Sequence, residues 1–375
     1  MGDYLKLFET HAEYQTYEQS GDMLKPNVSY CEDNNCVHYN PIPYDYSQDY
    51  LTVEALEDNV EVSYHGGMGG YSVSVSTDNG ETWSSGSSAI TTILNTGEKL
   101  LIKGNNTLYY DDEGAASIYS SDQHIIYGNI LSLVYGDNFG NYTELPNSQN
   151  IFNSFFRENT GLVSAENLIL ADNATSSCYR YMFMGCTSLV TPPELPATTL
   201  AQRCYSSMFD GCTSLISTPK LPATTLAEHC YGGMFDGCTT LTTAPMLPAT
   251  TLATHCYNNM FHDCTSLTTA PSVLPATTLA NQCYYYMFSG CTSLETAPEL
   301  PAETLVVQCY YYMFSGCTSL NYVKCLATDI SASNCTTSWL SVVSSNGTFV
   351  KAASMSSWTT GISGVPSGWT EVDAT

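Results

Sequence analysis

Between residues 178 and 320 the apolar positions fall into one pattern written six times. It begins CYRYMFMGCTSL, continues CYSSMFDGCTSL, CYGGMFDGCTTL and CYNNMFHDCTSL, and ends with two copies of CYYYMFSGCTSL. The leading cysteines stand at 178, 204, 230, 256, 283 and 309, a period of 26 residues with one insertion near Ser272 and Val273. Such a period marks a solenoid, in which no unit buries its apolar face without neighbours. Within each C-Y-x-x-M-F-x-x-C run the apolar residues recur at i, i+1, i+4, i+5 and i+8, which predicts one face of a helix. In the fifth unit these are Cys283, Tyr284, Met287, Phe288 and Cys291. The preceding Thr would cap that helix and Gly290 would close it. Residues 294–300 then read as a short strand, limited by Pro298, which cannot donate to a ladder. Each unit is therefore expected to be one helix and one short strand, with identical residues stacked about 4.8 Å apart in internal columns.

Upstream the pattern changes. Residues 149–175 align with the repeat at a spacing of 27, Phe155-Phe156 on Met182-Phe183 and Leu162 on Leu189. They read as a degenerate first unit, as expected where a coil has one neighbour instead of two. From about residue 50 to 137, YLTVEAL, VEVSYH, YSVSVST, KLLIKG, HIIYG and ILSLVYG alternate between turn-rich segments, which predicts an antiparallel β-sandwich without helical periodicity. Residues 1–45 read as a separate unit. Thr10 and Glu13 have capping-box spacing for a helix over 10–20, ended by Gly21. NVSYC and CVHYN then form a hairpin around residues 32–35, with Cys31 facing Cys36, bridged or not according to redox conditions the sequence does not set. After Leu320 the repeat breaks, and the tail holding Trp339, Trp358 and Trp369 is expected to cover the solenoid's open end. The predicted fold class is multidomain α+β: an anchor over 1–45, a sandwich over 46–137, a solenoid over 138–325 and a cap over 326–375.

Charge narrows the partners. The 375 residues carry 36 acids against 10 bases, a formal net charge of -26. Such a surface repels phosphate backbones and anionic lipid, so no nucleic-acid partner is expected. No stretch has transmembrane length and the N-terminus has no export-signal pattern, so no membrane insertion is expected. Twelve of the sixteen cysteines occupy two fixed repeat positions, and C-x7-C is not a zinc spacing. They read as buried core thiols, and no cofactor or metal is implied. His229 with His255, and Asp236 with His262, hold equivalent places in adjacent units; metal chelation there competes with an ordinary exposed polar ladder.

Residues 76–83, STDNGETW, match the S-x-D-x-G-x-T-W pattern of the Asp-box found in sialidases. A glycoside hydrolase would follow only if several copies and an arginine cluster for a carboxylate accompanied it. With one copy, the reading is a folding device: Asp78 caps a turn and Trp83 packs beneath it. No nucleophile, metal or paired-carboxylate constellation rises above background elsewhere, so the chain is not expected to be an enzyme.

The repeat MFxGCTSLxxxPxLPATTLAxxCY resembles the BspA-like class of leucine-rich repeats, found in surface proteins of gut bacteria and virion proteins of their phages. The likeness covers about residues 150–325. The tail GTFVKAASMSSWTTGISGVPSGWT is similar to the end module that follows such repeats. The opening FETHAEYQTYEQSG and PNVSYCEDNNCVHYNP resemble the N-terminal segment of structural proteins of crAss-like phages. These resemblances imply a binding or structural protein with no catalytic motif to carry over.

Recognition is expected at positions that vary between units. After the Leu these include Glu295 and Asn321; before the Leu-Pro they include Glu299. Inside the repeat the doublets run Arg180-Tyr181, Ser206-Ser207, Gly232-Gly233, Asn258-Asn259, Tyr285-Tyr286 and Tyr311-Tyr312. The last two place four tyrosines together, suited to protein or glycan contact, or to packing on the cap or a second subunit. The expected function is a phage head-fibre or tail-associated protein in the virion, joined to other virion proteins through residues 1–45 and forming a homotrimer. The solenoid would meet a host-cell surface protein or glycan, with a bacterial cell-surface adhesin as the alternative.

Overall fold

The computed structural model describes residues 45–111 and 114–375, together with three strands nearer the N-terminus. The chain divides into two compact units, residues 1–48 and 49–375. In the first, β1 (Lys6–Phe8) runs parallel to β2 (Val28–Glu32), which turns back antiparallel into β3 (Asn35–Val37). Cys31 lies opposite Cys36, so the expected hairpin and its register are present in the backbone. The helix expected over 10–20 lies outside the described residues.

The second unit opens with two antiparallel sheets. One orders β11 (Ser117–Tyr119), β5 (Val60–His65) and β7 (Ala89–Leu94). The other orders β12 (His124–Asn129), β4 (Leu51–Ala55), β8 (Lys99–Gly104) and β6 (Val73–Ser76). A minor ladder joins β9 (Tyr110–Asp111) to β10 (Gly114–Ala115). Alternating burial along β5 and β8 turns Val60, Val62, Tyr64, Leu100 and Ile102 into a shared apolar core. The run 130–136 is not the expected strand: Ser132–Tyr135 forms α1, followed by a 3₁₀ turn. Its residues are buried on every side, so periodicity could not separate strand from helix. Ser132 fixes it, donating to the Ile102 carbonyl and accepting from Leu51 N–H, both at 3.0 Å.

The larger sheet passes directly into the solenoid. β13 (Leu162–Ser164) and β14 (Leu168–Ile169), from the coil at 149–175, pair in parallel with β12. Asn159 ties the seam by accepting from Ser120 N–H (3.0 Å) and meeting His124 Nε2 (3.2 Å). Burial lowers the His124 pKa, and with Nδ1 2.8 Å from the Asp122 carbonyl the ring is a neutral structural link.

Beyond the seam each coil is a chain of tight turns, not the expected helix and strand. From Ser177 to Cys186, alternate N–H groups close i to i−3 turns, while those of Ser177, Tyr179, Tyr181, Phe183 and Gly185 donate to carbonyls of the next coil. Ser177, Tyr181 and Gly185 take φ of 55°, 57° and 73°, and the same three places are left-handed in the following coils. The reason lies in the spacing. Stacked rings in successive coils stand 5.4–6.2 Å apart, whereas α-helices with their side chains are about 10–12 Å across. Coils this close cannot each hold a helix. The turns instead send every second N–H sideways, satisfying the backbone between coils. Gly at the third left-handed place avoids the Cβ clash that costs other residues about 1 kcal/mol or more; Asp263 alone of the six complete repeats departs from it, at φ 55°. On the opposite side of the coil, parallel pairing is reduced to isolated bridges such as Thr225 with Thr251 and Thr243 with Thr269.

The predicted columns are present. Phe156, Phe183, Phe209, Phe235, Phe261, Phe288 and Phe314 form one continuous stack with interplanar angles of 5–12°. Phe152 and six tyrosines from Tyr179 to Tyr310 form a second. The pairing of Phe156 with Phe183 confirms the alignment of the degenerate first coil. At the far end the turn pattern continues one coil beyond Leu320, with Asn334 and Ser338 again left-handed. There Thr336 takes the Tyr place and Trp339 the Met place. The indole fills the space left by the smaller Thr, stacking on Tyr310 at 6.0 Å and on Trp358 at 5.4 Å. Outside it, β15 (Tyr322–Cys325), β16 (Gly347–Lys351) and β17 (Trp369–Asp373) form a parallel sheet.

Candidate functional site

Three sets of residues were candidates for chemistry, and the structure treats them differently. At the Asp-box, Asp78 accepts from Ser76 Oγ (2.6 Å), Thr82 N–H (2.9 Å) and Thr82 Oγ1 (2.5 Å). These bonds, led by Ser76, hold its pKa down to about 2. Trp83 Nε1–H donates to the Gly80 carbonyl at 3.1 Å, its ring lies 4.8 Å from Tyr50, and Lys103 Nζ sits 3.9 Å above it. Both carboxylate oxygens of Asp78 are engaged within its own turn, as a folding device requires.

The fourteen described cysteines are buried free thiols. Burial pushes Cys178, Cys186 and Cys256 up to about 12, so they stay protonated and unreactive in the fold. The two repeat positions are not equivalent. At the second, Cys186, Cys212, Cys238, Cys264, Cys291 and Cys317 each place Sγ 3.0–3.2 Å from the carbonyl of a Phe in the preceding coil. At the first, Cys256 and Cys309 reach only the carbonyls of Cys283 and Cys335 in the next coil, at 4.0 and 3.9 Å. Sequence reading missed this donor role because it treated both places as small apolar fillers. Among the described residues no group of three or more His, Cys, Asp and Glu side chains could hold a metal ion.

The polar ladders are real. His229 and His255 stack at 4.4 Å, and burial lowers both pKa values. His262 Nδ1 lies 3.0 Å from Asp236 Oδ1, which raises the imidazole. Asp210 stands one coil before Asp236, at the same place in the repeat. Burial first, and the like charge of Asp236 second, lift it to about 6. The spacing of 26 between Asp210 and Asp236 was the available signal for this third member.

The seven candidate binding residues divide into two groups on different runs of the coil. Tyr285, Tyr286, Tyr311 and Tyr312 form a two-by-two array, all half-buried. Tyr285 stacks on Tyr311 at 4.9 Å and 1°, and Tyr286 on Tyr312 at 4.8 Å and 6°. The two stacks touch side by side, at 4.7 Å within each coil. His255 and His262 meet Tyr285 and Tyr286 at steep angles of 71° and 72°. The next coil puts Thr337 and Ser338 at the matching places, so no further aromatic extends the array. Glu295 and Asn321 are exposed on the segment after the Leu column, joined by Asn321 N–H to the Glu295 carbonyl at 3.0 Å. Glu299 is already paired, 3.0 Å from Lys324 Nζ.

Sequence comparison agrees with the repeat. A family profile described as BspA type leucine rich repeat region matches in six copies over residues 149–286 and 253–344. No curated protein matches the chain. A leucine-rich-repeat protein of T. pallidum is 16% identical, covering 61% of this chain and 79% of that one with a TM-score of 0.25. One from Bacteroides ovatus is 13% identical, covering 71% and 88% with a TM-score of 0.19.

Proposed function

The chain belongs to the BspA-type leucine-rich-repeat family, and we propose from that premise that it is a recognition protein whose solenoid binds a protein or glycan. The observation that carries this reading is the division of labour within the coil. Tyr, Met, Phe, Cys and Leu recur as buried columns, while the doublets between them change. Labelled full chain is expected to bind intact bacterial or epithelial cells saturably, in competition with unlabelled chain. Absence of saturable binding to every cell type of such a panel contradicts the proposal.

For the setting, we put the bacterial cell surface first. The family resemblance that implies it spans about half the chain. Virion placement, with residues 1–45 as anchor to other virion proteins and a trimeric fibre, shares that repeat resemblance and needs in addition the likeness of one short N-terminal segment. No helix among the described residues is long and apolar enough to cross a membrane. Peptides released by protease from intact producing cells support the surface setting, and peptides in purified phage particles replace it with the virion.

A further inference from the structure

Exposure does not explain which positions vary. The second Thr of the LPATT loop recurs as Thr199, Thr225, Thr251, Thr278 and Thr304, all exposed and all kept, and the first recurs as Thr198, Thr224, Thr250 and Thr277, giving way once to Glu303. The doublets are less exposed, yet they change from coil to coil through Arg-Tyr, Ser-Ser, Gly-Gly and Asn-Asn to Tyr-Tyr. Tyr, Ser, Gly, Asn and Arg are the residues of adaptable protein-binding surfaces: rigid amphipathic rings beside small, hydrogen-bonding side chains. Because the coils are in register, the doublets make one strip. Five successive ring spacings of 5.7–6.0 Å beneath it give a length of about 30 Å, the scale of a standard protein interface.

We propose that this doublet strip is the docking surface for a folded protein partner that presents basic side chains; the proposal rests on the recognition reading above. Two features select a protein over a glycan. Tyr285 and Tyr311, and Tyr286 and Tyr312, cover one another's ring faces between coils, the two stacks lie tilted at 47–52° to each other, and His255 and His262 of the preceding coil stand against Tyr285 and Tyr286. Much of the ring face on which a sugar would stack is therefore taken up by neighbouring rings, and hydrogen bonding and side-chain packing are favoured. Charge selects a basic partner. The six complete repeats, residues 178–320, contain eight acids and three bases, and Asp210, Asp236 and Asp263 border the strip.

The test uses the full chain on two arrays, one of folded proteins of known sequence and one of glycans. It is compared with the quadruple variant Tyr285→Asn, Tyr286→Asn, Tyr311→Asn, Tyr312→Asn, which copies the doublet already accommodated in the coil at Asn258. Far-UV circular dichroism verifies its fold, and Ile216→Ser with Met246→Ser, on the other run of the coil, is the control. The expected result is binding to proteins with basic surface patches, weakened at least tenfold in the tyrosine variant and unchanged in the control. Glycan binding lost in the tyrosine variant overturns the protein assignment and leaves the recognition reading standing. So does protein binding that ignores the tyrosines or selects partners without basic patches. No binding on either array overturns both.

Discussion

The inside and the turn face of the same coil obey opposite rules. Inside, each place holds one residue type across the six complete repeats, with each Tyr and Phe ring stacked on its copy one coil away and each second thiol set on a Phe carbonyl of the preceding coil. Between those places, the doublets run from glycine to tyrosine over the same backbone, with Tyr286 and Gly233 sharing the left-handed conformation. The fold is thus fixed by columns, and the face is free to change without disturbing them.

The largest effect expected from breaking that division is in the Phe column. Phe235→Ala leaves a ring-sized void between Phe209 and Phe261 and should cost about 3–5 kcal/mol by denaturant unfolding. A cost below 1 kcal/mol would show that neighbouring coils close the gap. Cysteine sharpens the comparison within a single coil. Cys264→Ala removes a donor to the Phe235 carbonyl at 3.0 Å, and should cost about 1 kcal/mol more than Cys256→Ala, whose contact is 4.0 Å. Equal costs would return both thiols to the role of fillers.

A comparable effect, opposite in sign, belongs to the ladder beside the strip. Asp210 has a folded pKa raised to about 6, so its ionised form weakens the fold above that pH. The penalty vanishes as pH falls from 6 toward the unfolded value near 4, where the folded state takes up the proton first. Asp210→Asn should therefore stabilise by about 1 kcal/mol at pH 8, after allowance for solvent screening, and by nothing at pH 4. A gain independent of pH would assign the effect to packing.

Much of this order was legible in the sequence. The period gave the registers, and the spacing of 27 placed Phe156 on Phe183. The hairpin at Cys31 and Cys36 and the turn at Asp78 followed from local chemistry. The helix in each unit did not, because apolar spacing records which residues face the core and not how far away the next coil lies. A separation of 5.4–6.2 Å between rings turns the same spacing into tight turns. The strand Ala89–Leu94 escaped notice since its residues are mostly exposed or half-buried and AITTIL does not alternate strictly. For the candidate site, the tyrosine cluster was readable from its doublets. The orientation of the rings was not, because it depends on stacking between coils.

The central claim is that the doublet side chains, unlike their backbone, take no part in holding the solenoid together. The thermal midpoint of the quadruple variant, with Tyr285, Tyr286, Tyr311 and Tyr312 each replaced by Asn, tests it most directly. The account predicts a midpoint within about 2 °C of the parent chain, equivalent to about 1.4 kcal/mol or less for a unit of this size. A fall of about 10 °C would contradict it and assign the tyrosine array to the scaffold.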